Sequence, residues 1–150
     1  YQFYGHYLEG DYRYDLLTLE GKFFLPLNAD WTLSLAGDYQ TLSQQDKHLP
    51  PMARPYIELR GISRYRYQGD DVSTVQTQLA WQMSSRWIVL GFVGAGSAAD
   101  STSELYRSAE VAWGSGIRYL IAREYGLRTG VDVAFSDNEQ AVYFNVGSGL

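Results

Sequence analysis

The residues able to do chemistry are few and scattered. His6 and His48 are the two histidines, far apart in sequence, and neither has a partner at metal-ligand spacing. Glu20 and Asp38 are candidates for a carboxylate pair in acid–base work, but both fall on polar strand faces that also carry Lys22, Arg118 and Arg128. Salt bridges among these groups are the simpler expectation. Ser115 and Ser148 lack the strand–turn–helix setting of a nucleophile elbow. Gly91-Phe92-Val93-Gly94-Ala95-Gly96 precedes no helix, so it does not read as a nucleotide loop. The chain has no cysteine, which excludes thiol catalysis, disulfides and cysteine-based zinc sites. No catalytic constellation, metal site or cofactor site emerges, and the expectation is a protein that is not an enzyme.

The elements that carry these residues follow from alternation. Period two dominates and helical periodicity is hard to find. Eight strands of roughly nine to sixteen residues can be counted. They run about Tyr1–Leu8, Tyr12–Leu27, Trp31–Thr41, from Val72 to Met83, Trp87–Ser97, Ala109–Ala122, from Leu127 to about Phe135, and from Val142 to the end. One face of each is large and apolar: Leu19, Phe23 and Leu25, then Val75 and Leu79, then Trp113 and Ile117. The other mixes Gly, Ala, Thr and Gln with Glu20, Lys22, Asp38, Arg118, Arg128 and Asp132. Trp31, Trp81 and Trp87 stand at turn ends on the apolar side, as in an aromatic girdle at headgroup level.

The connections alternate in length. Those after Leu27, Met83 and Ala122 are short, and those after Leu42, Ser97 and Ser136 are longer or more polar. Such alternation is the signature of an outer-membrane barrel. The expected fold is therefore all-β, a transmembrane antiparallel up-and-down β-barrel of about eight strands in one domain, 1–150. An even strand count puts both termini on the periplasmic side. A soluble lipocalin-like barrel with the same faces reversed stays open, because period two carries no inside or outside label. The net charge of −5 leaves no basic footprint for nucleic acid.

The longest non-repeating piece is the loop at about 42–71, expected to be extracellular, where Pro50, Pro51 and Pro55 break any strand. Its Leu59-Arg60-Gly61-Ile62 resembles the Val-Arg-Gly-Phe-type motif of the BamA/TamA superfamily, the bacterial surface antigen proteins of Gram-negative outer membranes. Pro55 to Gly61 with Arg66-Tyr67-Gln68-Gly69-Asp70 resembles the version in small or patatin-linked members. Trp87 through Gly96, Gly116-Ile117-Arg118-Tyr119, Gly126 through Asp132, and Phe144-Asn145-Val146-Gly147 are similar to the strands that follow it in the family. The resemblance covers about Tyr12 to Leu150 and matches the C-terminal half of a family barrel, which has about twice as many strands and mostly carries POTRA domains.

The resemblance implies an integral outer-membrane protein with a structural, assembly or translocation role. Its partners would be outer-membrane lipids and lipopolysaccharide, the assembly machinery during biogenesis, and a second copy pairing edge to edge. The alternative within the family is the anchor or translocator of a lipase-like passenger. Family chains usually end in an aromatic; Leu150 here suggests a trimmed chain or a weakened assembly signal.

In the family the loop arginine meets lumen acids on the strands that follow. The matching positions here are Gln78 or Ala80, and Gly94, none of them acidic, which leaves Asp38 or Asp132 to substitute. A closed eight-stranded barrel has an interior just wide enough for its own side chains and forms no wide pore. The expectation is that Arg60 caps the mouth as a relic, unless further strands widen the lumen, and that Arg60→Ala costs little stability.

Overall fold

A computed structural model describes residues 2–4, 14–44, 54–122, 124–137 and 139–147. Eight antiparallel strands form one sheet in chain order: β1 (Gln2–Tyr4), β2 (Tyr14–Pro26), β3 (Trp31–Gln44), β4 (Asp71–Gln82), β5 (Trp87–Ala99), β6 (Glu110–Ala122), β7 (Leu127–Ser136) and β8 (Gln140–Gly147). Every strand pairs with its neighbour in sequence, which makes the topology up-and-down. A single 3-10 turn, Thr102–Glu104, interrupts the β5–β6 connection. The all-β, up-and-down expectation holds, with boundaries that differ by a few residues. The connection between the first two expected strands and the residues His6, His48, Pro50, Pro51, Ser148 and Leu150 lie outside the described residues.

Alternation sets the two faces. On β5, Ile88, Leu90, Phe92, Gly94 and Gly96 are buried, while Trp87, Val89, Gly91 and Val93 between them are exposed. The same holds on β4, where Thr74, Gln78 and Ala80 are buried and Val75, Leu79 and Trp81 are exposed. The exposed set continues around the sheet through Phe23, Val111, Ile117, Val133 and Phe144, the last 82% exposed. The buried set includes Arg118, Asp132, Thr74 and Gln78. The outward face is thus apolar and the inward face mixed, with Arg118, Asp132, Thr74 and Gln78 set among Ile88, Leu90 and Phe92; soluble monomers rarely expose contiguous apolar surface beyond a few hundred Å².

Aromatics mark both ends of the outward face. At the short-turn end Trp31 stacks on its register partner Trp81, with centroids 5.6 Å apart. Trp87 packs on Tyr119 in the same way at 4.7 Å. At the other end Trp113 packs on Phe135 at 5.0 Å, and Tyr39 lies on β3. From Trp31 to Tyr39 is about 27 Å along the strand at about 3.4 Å per residue, or about 20 Å of height at a tilt near 40°.

Among the described residues β1 and β8 are not paired with each other, so the sheet they form curls without closing. This corrects the expectation that the interior is too narrow for the loop. A closed ring of eight strands would fill with its own side chains. The open curl leaves a concave face on which Ile57, Leu59, Gly61 and Ile62 are buried.

Candidate functional site: the loop latch on the concave face

The described part of the long loop, Arg54–Asp70, is a pinched hairpin. Tyr56 and Gln68 form an antiparallel bridge, and Ile57 N donates to Tyr67 O at 3.0 Å. Its base is tied down by Arg54, which pairs with Asp70 at 2.8 Å and with Asp100 of the β5–β6 connection at 2.7 Å. Its tip turns at Gly61, whose φ of +97° favours glycine. A Cβ at Gly61 would also meet Ala134 Cβ at 3.2 Å. Gly61→Val therefore costs about 1–3 kcal/mol for backbone strain alone, read as a lowered denaturation midpoint in detergent.

Small residues on the strands make the seat. A Cβ at Gly96 would sit 2.7 Å from Ile57 Cγ2, and one at Gly94 would sit 3.0 Å from Leu59 Cδ2. Gly94 and Gly96 of the glycine-rich β5 segment are thus the floor under two of the loop's aliphatic side chains, while Gly91 faces outward. Ile57, Leu59 and Ile62 pack there with Val72 and Ala112.

Arg60 reaches from this seat into the sheet. Its Nη2 donates to Gln78 Oε1 at 2.8 Å, and its Nη1 pairs with Asp132 Oδ2 at 3.3 Å. Its guanidinium lies over the Phe92 ring, 3.6 Å from the centroid, a cation–π contact. Asp132, 1% exposed, also receives both Nη groups of Arg118 at 2.5 and 2.9 Å and the Asn145 amide at 3.1 Å. Room for this cluster comes from Gly116 and Gly130, where a Cβ would collide with Asp132 Oδ1 and with Arg118 respectively. The relic expectation is corrected: Arg60 is docked, and of the two substitutes named for its acid the one used is Asp132.

A second tier holds the loop to the β7–β8 hairpin. Gly61 N donates to the Tyr143 hydroxyl at 2.9 Å and Ser136 Oγ donates to Gly61 O at 2.9 Å. Ser63 N donates to Glu139 Oε2 at 2.7 Å, and Arg66 forms an ion pair with the same carboxylate. The Ser63 amide, then Arg66, holds the Glu139 pKa below its ordinary value near 4.5. A depressed carboxylate pKa contributes stability that is present above the unfolded value and is lost as pH falls through the folded one. Acidification should therefore expose the Ser63 amide, seen in hydrogen exchange corrected for intrinsic rate, and Glu139→Gln should flatten that dependence.

The remaining lumen residues named from sequence behave differently. Glu20 and Asp38 are cross-strand partners on β2 and β3, and Asp38 accepts from Gln40 at 3.0 Å. Among the described residues, no ion pair within 4 Å involves Glu20, Lys22, Asp38 or Arg128, so the expected bridges from these acids to Lys22, Arg118 and Arg128 do not form. For Arg118 the reason is curvature; Lys22 lies beside Glu20 and Asp38 on the β2–β3 pair, and its lack of an ion pair has no such cause. β2 and β3 face β6 and β7 across open space, with a cavity of about 290 Å³ between them, and Arg118 is satisfied by its register neighbourhood on β7 instead. Trp31, Trp81 and Trp87 all lie on the outward face at one end. Gln78 is one of the positions that the resemblance matched to the partners of the loop arginine, and it meets Arg60 as a neutral acceptor. Sequence reading did not single out Phe92 as a contact of Arg60, nor Tyr143 and Glu139 as contacts of the loop, because each depends on where the sheet curls.

No protein-family model matches this chain, and no curated protein does either.

Proposed function

We propose that this chain is the loop-bearing part of a non-enzymatic outer-membrane β-barrel protein of the BamA/TamA type, with a structural or assembly/translocation role. The observation that carries the reading is the outward face: a continuous apolar exterior banded by aromatics, around a mixed interior whose buried Asp132 anchors the Arg60 loop. In a bilayer only closed or fully paired sheets satisfy the backbone. The free edge of β8 therefore needs a strand partner, either further strands of the same protein or a second copy. Lipids of the outer leaflet would cover the outward face, and the short turns after Pro26, Gln82 and Ala122 would face the periplasm.

A soluble barrel is the competing reading, and a simple experiment separates the two. The purified chain should aggregate in buffer. It should give β-rich circular dichroism and heat-modifiable gel migration only in detergent or vesicles. A soluble monomer in plain buffer would overturn the proposal.

A further inference from the structure

The latch carries an uncompensated charge. Two guanidinium groups, Arg60 and Arg118, share the single carboxylate of Asp132. That carboxylate also accepts from Asn145, so its oxygens are fully used. Burying two cations on one anion leaves an excess positive charge in a place where solvation is poor, which is costly unless something answers it. Beside the latch lies a cavity of about 290 Å³ bordered by both arginines and, from β2, by Lys22. Lys22 has no ion pair within 4 Å among the described residues. The acids Glu20, Asp38 and Glu58 border the neighbouring cavity, on the far side of Lys22.

We propose that this cavity is an oxyanion site that takes a phosphate group, held by Lys22 and by N–H groups of Arg60 and Arg118 beyond those given to Asp132 and Gln78. Guanidinium forks and an ammonium are the groups that suit a tetrahedral oxyanion. The inference rests on the concave-face geometry and not on the membrane reading. The phosphate can be free or part of a lipid headgroup.

The test is thermal unfolding of the detergent-folded chain at constant ionic strength. Inorganic phosphate and a short-chain phosphatidic acid are titrated separately, each against chloride. A saturable rise in midpoint is expected with one or both probes, since a ligand that binds the folded state alone stabilises it by mass action. A rise with both points to free phosphate as sufficient; a rise with the lipid alone assigns the headgroup. Lys22→Gln should weaken the apparent affinity about tenfold, the order of one lost charge-assisted contact. Equal midpoints in phosphate, lipid phosphate and chloride would overturn the proposal, as would an unchanged affinity in Lys22→Gln.

Discussion

Asp132→Ala should lower the unfolding free energy by about 3–5 kcal/mol, the loss expected when one partner of a buried charge cluster is removed. Asp132 is 1% exposed and, among the described residues, is the sole carboxylate paired with Arg60 and Arg118. Its removal strands both guanidinium groups and frees the Asn145 amide. Asp132→Asn should lie between, because it keeps an acceptor and loses the charge. Arg60→Ala should also destabilise, by about 1–3 kcal/mol, through the lost hydrogen bonds and the lost stacking on Phe92. It should cost less than Asp132→Ala because Arg118 still neutralises the acid. Denaturant unfolding in one detergent, followed by tryptophan fluorescence, checks the order. Near-equal stability of Arg60→Ala and the parent would return the loop to the relic role that its missing neighbouring acids suggested.

The second large effect is expected on the opposite face. Ile117 is exposed on β6, between Trp113 and Tyr119. In water, a charged residue at an exposed position changes stability by no more than about 0.5 kcal/mol. At the lipid-facing midplane of a membrane barrel, Ile117→Arg should cost about 2–4 kcal/mol. The same substitution at Trp113 or Tyr119, nearer the interface, should cost about 0–1 kcal/mol for the charge itself. A depth dependence of this kind has no counterpart in a soluble sheet. Refolding into phospholipid vesicles, with folded fraction measured against urea, reads it directly.

Much of this was legible in the sequence, and the limits have physical causes. Alternation on β4 and β5 gave the faces because a strand's side chains repeat every two residues, whatever the sheet does next. It could not say whether the sheet closes, since curl is a property of the whole set of strands. The closed-ring assumption therefore misjudged the room for the loop. The Leu59–Ile62 motif pointed to the right loop, and Asp132 was on the right face. Their meeting joins residues 72 apart and depends on the curl bringing β7 opposite the loop. Glu20 and Asp38 show the reverse error: opposite charges on one face were expected to pair, and the open concavity keeps them from Arg118. Glu139 carried no local signal, because its role comes from a turn that happens to meet Ser63 and Arg66.

The central claim is that the apolar face of this sheet meets lipid and the polar face meets water. The chain lacks cysteine, so single cysteines can be introduced one at a time and spin-labelled. Along β4 the informative positions are Val75, Gln76, Thr77 and Leu79. In vesicles, the account predicts that labels at Val75, Thr77 and Leu79 collide with oxygen and are shielded from a water-soluble nickel complex, while the label at Gln76 does the opposite. Nickel access at Val75 and Leu79 equal to or above that at Gln76 would contradict it.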